Sequence, residues 1–129
     1  MTHHGFIGAV LYAKDLAWLV EFYRAVVGIE PQTAEKGFAV FGSIPSQFVI
    51  VRIPKNVARS IDISSPPKPR HGIPLKLVFA VEDIANARDR AARLGGAVNA
   101  VKHEWNFEGT KVCDGHDPEG NVFQIRQID

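Results

Sequence analysis

The chain repeats itself at an offset of 68 residues. Phe6 to Asp15 reads FIGAVLYAKD and Pro74 to Asp83 reads PLKLVFAVED, both apolar β-type runs that end on an acidic residue. Asp15 leads into LAWLVEFYRAVVG, which stops at Gly28, and Asp83 leads into IANARDRAARLGG, which stops at Gly95-Gly96. Asp15 to Asp83 and Gly28 to Gly96 are the same 68 positions apart, so one offset aligns both the start and the stop of a helix. Such a chain folds from two similar halves.

Each helix has its own physical basis. Asp15 and Asp83 carry a side-chain oxygen for the unpaired amides of a first helical turn. Leu16, Leu19, Phe22, Tyr23, Val26 and Val27 recur at three- and four-residue spacing and make one apolar face, as do Ile84, Ala87, Ala91 and Leu94. Glycine beyond the last turn supplies left-handed geometry. Strand-like segments follow each helix, near Gln32–Ala34, Gly37–Phe41 and Gln47–Ile53, and near Ala97–Val101, Lys111–Asp114 and Asn121–Gln127. Turn residues (GSIP from Gly42, HDPEGN from His116) separate them. Each half therefore reads β-α-β-β-β, and the chain is of the α+β class. The first module is predicted over residues 5–54 and the second over 74–128, joined by a linker over 55–73. Pro54, Pro66, Pro67, Pro69 and Pro74 at and within its ends predict an extended joint.

With 129 residues the two halves share one core, since each alone is too small to bury much. The formal charge of +1 gives no general pull toward nucleic acid or an acidic membrane surface. No run of about 18 apolar residues spans a bilayer. The start, Met1-Thr2-His3-His4-Gly5, has neither the basic region nor the apolar stretch of a secretion signal, so the expected location is cytoplasmic. Cys113 is the only cysteine, which excludes an internal disulfide and a thiolate zinc cluster. It reads as a buried, inert thiol. The five histidines show no metal-ligand spacing and read as solvated or capping groups.

The strand–Asp–helix start with Phe22-Tyr23-Arg24 before Gly28, the stretch FAVEDIANARDRAARLGG, and DPEGNVFQI from Asp117 to Ile125 together resemble the vicinal oxygen chelate superfamily, which groups glyoxalases, bleomycin-resistance proteins and dioxygenases. The resemblance covers nearly the whole chain. It implies two βαβββ modules whose curled mixed sheet surrounds a shared cavity, helices outside. It also implies a divalent metal in many members, held by His or Glu on the first and last strands of a module. The matching positions here are Gly8, Lys76, Gln124 and, as counterpart of Gln124 in the first module, Val51. Gly and Val carry no donor, a protonated Lys repels a cation, and a lone Gln carbonyl is a poor partner. No cofactor is therefore expected, and a divalent metal is disfavoured.

Strand alternation sorts the faces. Gly8, Val10 and Tyr12, then Lys76, Val78 and Ala80, then Val122, Gln124 and Arg126, are expected toward the cavity. Ile7, Ala9 and Leu11, Leu75, Leu77, Phe79 and Val81, and Phe123 and Ile125 are expected under the helices. Lys76 with Arg126 suggests a locally positive pocket for a carboxylate, enolate or phosphate, or else Lys76 lies at the strand mouth with its ammonium in water. Trp105 and Phe107, between two strands, either stack on a flat ligand or fill core or a dimer contact. Tyr12 is a candidate hydroxyl donor. The ligand-pocket residues are thus Tyr12, Lys76, Trp105, Phe107, Gln124 and Arg126. The expected function is binding of a small aromatic or anionic molecule between the modules by a homodimer. The alternative is a divergent lyase, isomerase or dioxygenase-like enzyme with an atypical metal site or metal-free acid/base residues. Neither nucleic acid nor membrane is an expected partner.

Overall fold

The structure, a computed structural model, describes residues 4–128. His3 lies outside them. The first module runs β1 (Gly8–Ala13), α1 (Leu16–Val27), β2 (Pro31–Ala34), β3 (Phe38–Ser43) and β4 (Ser46–Arg52). A short helix α2 (Lys55–Ala58) opens the joint. The second module runs β5 (Leu77–Val81), α3 (Ile84–Arg93), β6 (Ala97–Val98), β7 (Trp105–Phe107), β8 (Thr110–His116) and β9 (Val122–Gln127). Two separate sheets result, ordered β1-β4-β3-β2 and β5-β9-β8-β6, with β7 also on β8. In each, the first strand pairs parallel with the last and the other pairings are antiparallel. The α+β class and the repeated module are thus present in the fold.

The capping residues do what their chemistry allows. Asp15 accepts from the Trp18 amide at 3.1 Å and Asp83 from the Ala85 amide at 2.9 Å. Gly28 closes α1 at φ 85°. In the second module the left-handed residue is Gly95 at φ 89°, one position before the repeat places it, because α3 ends at Arg93. Gly96 serves a different purpose. A Cβ there would lie 2.5 Å from both the His116 carbonyl oxygen and the Phe22 ring, so only glycine lets β6 approach.

The two modules share one core. α1 packs on α3, β4 and β5. The small Ala87 and Ala91 of α3 are buried and permit close approach. Trp18 Nε1 donates to the Leu94 carbonyl at 2.7 Å across this seam. Tyr23 is the hub: its ring centroid lies 5.3 Å from Phe48, 5.4 Å from Phe79 and 6.1 Å from Phe123. Burying such rings is worth roughly 1.5–3 kcal/mol each. The residues expected under the helices mostly take that place, with Leu77, Phe79, Val81, Phe123 and Ile125 in or against the core. Leu75 does not: it precedes β5 and is 73% exposed.

Because helix-side faces meet in one core, the opposite faces of both sheets lie outside it in a single chain. Val10 is 55% and Tyr12 62% exposed. Trp105 and Phe107, read from sequence as loop residues, form strand β7. Among the described residues no helix is long and apolar enough to cross a membrane.

Candidate functional site

Five of the six candidate residues come together on or beside the outer face of the second sheet. Register places Gln124 of β9 between Val78 of β5 and Asp114 of β8, and Arg126 between Ala80 and Val112. Trp105 of β7 pairs with Val112. The Arg126 Nε donates to Gln124 Oε1 at 2.8 Å, and the guanidinium lies 4.9 Å from the Phe107 ring centroid. This cation–π seat fixes the guanidinium plane. Its two terminal nitrogens meet no partner among the described residues. Tyr12 stands apart, exposed on the outer face of the first sheet opposite Val51.

Of the two sequence readings of Lys76, its position fits the strand mouth. It lies one residue before β5, half-exposed, and its Nζ pairs with Asp114 Oδ2 at 2.9 Å. The pair cancels its charge, so the local positive field expected from Lys76 with Arg126 reduces to Arg126. Asp114 was legible only as a strand residue, because its partner stands 38 positions away. Its Oδ1 is buried and unpartnered among the described residues. A buried acceptor without a donor costs about 1–3 kcal/mol.

Two cavities border Lys76. One of about 360 Å³ is lined by Arg70, His71, Ile73, Lys76, Asp114 and Val122, among others. The linker residues in its wall are strapped to the second module: the Arg70 amide donates to the Gly120 carbonyl at 2.8 Å and its Nε to the Glu119 carbonyl at 3.1 Å. The second cavity, about 590 Å³, is a mostly apolar groove between the modules that includes Gly8, Gln47, Phe48 and Phe79. A third groove of about 840 Å³ lies where α1 starts, beside Lys14, Trp18, Arg52, Pro66 and Pro67. There the amides of Lys14 and Asp15 donate to Glu119 at 2.8 and 2.7 Å, which fastens this helix entry to the second module.

The positions that hold metal in the resembling superfamily do not form a cation site. Register corrects one of them: Val78 pairs with Gln124, and its repeat partner Val10 pairs with Val49, so the counterpart of Gln124 is Val49 instead of Val51. Either valine lacks a donor, as does Gly8. The Lys76 ammonium is cationic, and Gln124 Oε1 is occupied by Arg126. Among the described residues no three His, Cys, Asp or Glu side chains converge as metal ligands would. No catalytic step through a metal follows from these residues.

The other chemically suggestive groups are structural. Tyr23, Asp117 and Glu119 tie the modules together. Cys113 is buried, with Arg88 Nη2 at 3.9 Å and the Asn99 carbonyl at 3.4 Å. Burial pushes its thiol up despite the neighbouring guanidinium.

A family model described as a glyoxalase-like domain matches residues 8–126. No curated protein sequence matches the chain. Among solved structures, a glyoxalase/bleomycin resistance protein from Albidiferax ferrireducens T118 is 22% identical, with 94% of this chain and 96% of that one covered at a TM-score of 0.60. A glyoxalase/bleomycin resistance protein/dioxygenase family enzyme from Burkholderia phytofirmans PsJN is 19% identical over 93% and 95%, at 0.62. A bleomycin-binding protein complexed with bleomycin is 15% identical over 99% and 100%, at 0.58. With the repeated βαβββ module, the DPEGN turn and the extent of the family match all in place, the chain belongs to the glyoxalase-like family of the vicinal oxygen chelate superfamily.

Proposed function

We propose that the chain binds a small anionic, aromatic molecule on the outer face of the second sheet, without a bound metal, and that a second copy closes the site. The observation that carries this is the seat of Arg126. Its guanidinium is stacked on Phe107 and held through Nε by Gln124, and neither terminal nitrogen has a partner among the described residues. That is the geometry of a forked contact to a carboxylate or similar planar anion. Trp105 and Phe107, both about half-exposed, offer flat apolar surface beside it. A strongly cationic drug would need an acidic pocket, which Arg126 opposes.

A single chain leaves this face open, and leaves the outer face of the first sheet open too. There Val10, Val49 and Val40 form one cross-strand row, and Tyr12, Val51 and Phe38 the next. An apolar face of this kind suits burial against another copy. Two-fold pairing would set it over the polar face of the partner's second sheet and bring Tyr12 to a site in trans. A cytoplasmic setting suits a chain whose one cysteine is buried and unpaired. The structural neighbour that binds bleomycin supports the reading in one respect: it is an architecture of this kind with a small molecule bound.

The test is a melting-temperature screen of the untagged chain against single-ring and fused-ring aromatic carboxylates, alongside metal analysis. Stabilisation by a subset of acids that disappears in Arg126→Gln is the expected result. Absence of stabilisation by any acid, or stabilisation indifferent to Arg126, overturns the reading. Stoichiometric transition metal in the purified protein overturns its metal-free part.

A further inference from the structure

We propose that the groove of about 840 Å³ at the start of α1 is a second binding site, for a flat fused-ring anion, separate from the Arg126 seat. Its lining divides between two parts of the chain. The ends of α1 and α3 supply Ala17, Trp18, Ala92, Gly95 and Gly96, and the joint supplies Ile63 to Pro67. The volume lies within the range of sites for drug-sized molecules, roughly 300–1,000 Å³, and is large enough for fused rings. None of Trp105, Phe107, Gln124 or Arg126 borders it, so the site stands or falls independently of the reading above.

Trp18 gives the groove a fixed aromatic surface. Its Nε1 donates to the Leu94 carbonyl at 2.7 Å, and its ring lies so close to Gly95 that a Cβ there would sit 2.6 Å from it. The indole is thereby held in one pose, yet the residue stays 46% exposed. Ala17, Ala92 and the two glycines beside it are too small to cover the ring. The wall given by the joint is preformed as well. The Lys14 ammonium donates to the Ile61 carbonyl before it, and the Arg70 amide donates to the Gly120 carbonyl at 2.8 Å after it. Between these two fastenings Pro66, Pro67 and Pro69 restrict the backbone. A rigid indole and a rigid apolar wall hold a flat ring at little ordering cost.

The charged groups decide the sign of the ligand. Both carboxylates in the lining already serve backbone amides: Asp15 that of Trp18, and the buried Glu119 those of Lys14 and Asp15. Arg52, at the end of β4, is exposed, and its guanidinium meets no partner among the described residues. The bond of Lys14 to a neutral carbonyl leaves its charge in place. The joint, residues 55–73, adds Lys55, Arg59, Lys68 and Arg70 against Asp62 alone. A groove with open donors, engaged acceptors and a basic border attracts an anion. A carboxylate or sulfonate on the ring fits the fork of Arg52.

The two tryptophans make the test specific to the site. Trp18 lines this groove and Trp105 lies beside Arg126, so the indole N–H signals of the isotope-labelled full chain, assigned with Trp105→Phe, report on each separately. Titration with naphthalene-2-sulfonate is expected to shift the Trp18 signal saturably, and equally so in Arg126→Gln. The neutral 2-naphthol and the cationic 2-naphthylmethylammonium should bind more weakly. Arg52→Gln should weaken the sulfonate by about twofold to fivefold, the range that an exposed charge pair gives, and leave 2-naphthol unchanged. Ala92→Leu, at an exposed position of α3 that tolerates leucine, should narrow the groove and remove the Trp18 shift from a folded chain. A sulfonate that shifts only Trp105, or neither signal, overturns the inference. So does a Trp18 shift that is indifferent to the charge of the ligand and to Arg52, or one that survives Ala92→Leu.

Discussion

The Tyr23 hydroxyl donates to Asp117 Oδ2 at 2.7 Å, and this buried bond joins the first helix of one module to the last turn of the other. Asp117 is fully buried and accepts three more bonds, from Asn121 Nδ2 and from the amides of Glu119 and Asn121. All four partners are donors. The DPEGN turn thus folds around a carboxylate that also reaches across the module boundary.

Asp117→Asn places an amide NH₂ where two donors already point. It is expected to lower stability by about 2–4 kcal/mol, since each unsatisfied buried group costs about 1–3 kcal/mol. Tyr23→Phe keeps the ring packing and loses one donor, so about 1–3 kcal/mol is expected. Denaturant unfolding of both variants measures the difference.

Tyr23 also sets an alkaline limit. Burial, and secondarily the Asp117 charge, hold its hydroxyl well above the ordinary value near 10. A folded-state value above the unfolded one favours the protonated form in the fold. The corresponding stability is complete below about pH 10 and is lost as pH rises toward the folded value, by up to about 1.4 kcal/mol per unit. Unfolding free energy measured from pH 9 to 11.5 should fall in the parent chain more steeply than in Tyr23→Phe. Equal slopes would assign the alkaline limb to other groups.

Glu119 performs a second fastening that runs from the second module to the first. Its carboxylate accepts from the Lys14 and Asp15 amides at 2.8 and 2.7 Å, at the entry to α1. Glu119→Gln retains one acceptor and presents a donor to the other amide. A loss of about 1–3 kcal/mol is expected, with Glu119→Ala at least as costly. Amide exchange at Lys14 and Asp15 should accelerate in both, a readout that loss of surface charge alone would not give.

Much of this fold is written locally. Two capping aspartates, two apolar helix faces and the HDPEGN turn locate modules, helices and most strands, because each depends on neighbours within a few residues. The same reading missed β7, since Trp105–Phe107 is only three residues long and its pairing with Val112 is decided by a distant strand. It left Lys76 between a positive pocket and a strand mouth for a related reason. A lone lysine near a strand signals charge, and only the fold shows that Asp114 neutralises it. The repeat offset identified Gly8 and Lys76 as equivalent, yet the register of the last strand of module one needed pairing data, which moved the equivalent of Gln124 from Val51 to Val49. Tyr12 was separated from the other candidates because alternation assigns a face but does not say which face of which sheet a single chain brings together.

Cys113 should behave as packing. It is fully buried and its thiol is pushed up by that burial, so little thiolate is exposed at neutral pH. Iodoacetamide labelling of the native chain at pH 7.5 is expected to be slower than that of the unfolded chain by orders of magnitude. Rapid native labelling would mean that the Arg88–Glu104 pair, at 2.5 Å beside it, opens readily.

Val49 tests whether the apolar outer face of the first sheet is an interface. It sits in the middle of the row Val10–Val49–Val40, on the face opposite the shared core. A charge there leaves the core untouched, so Val49→Glu should keep a folded chain, with the cost confined to a modest loss of strand propensity. Across a paired interface the same carboxylate would be buried against apolar surface without a partner, which is far more costly. Sedimentation equilibrium should therefore show a two-copy species for the parent chain and a folded monomer for Val49→Glu. The parent's melting temperature should rise with concentration and the variant's should not, because only an associating chain gains stability by mass action. A parent chain that remains monomeric at high concentration, or a variant that still pairs, would leave this face to some other partner and remove Tyr12 from the site. The combination of intact fold and lost pairing would place the apolar outer face of the first sheet in the interface between two copies.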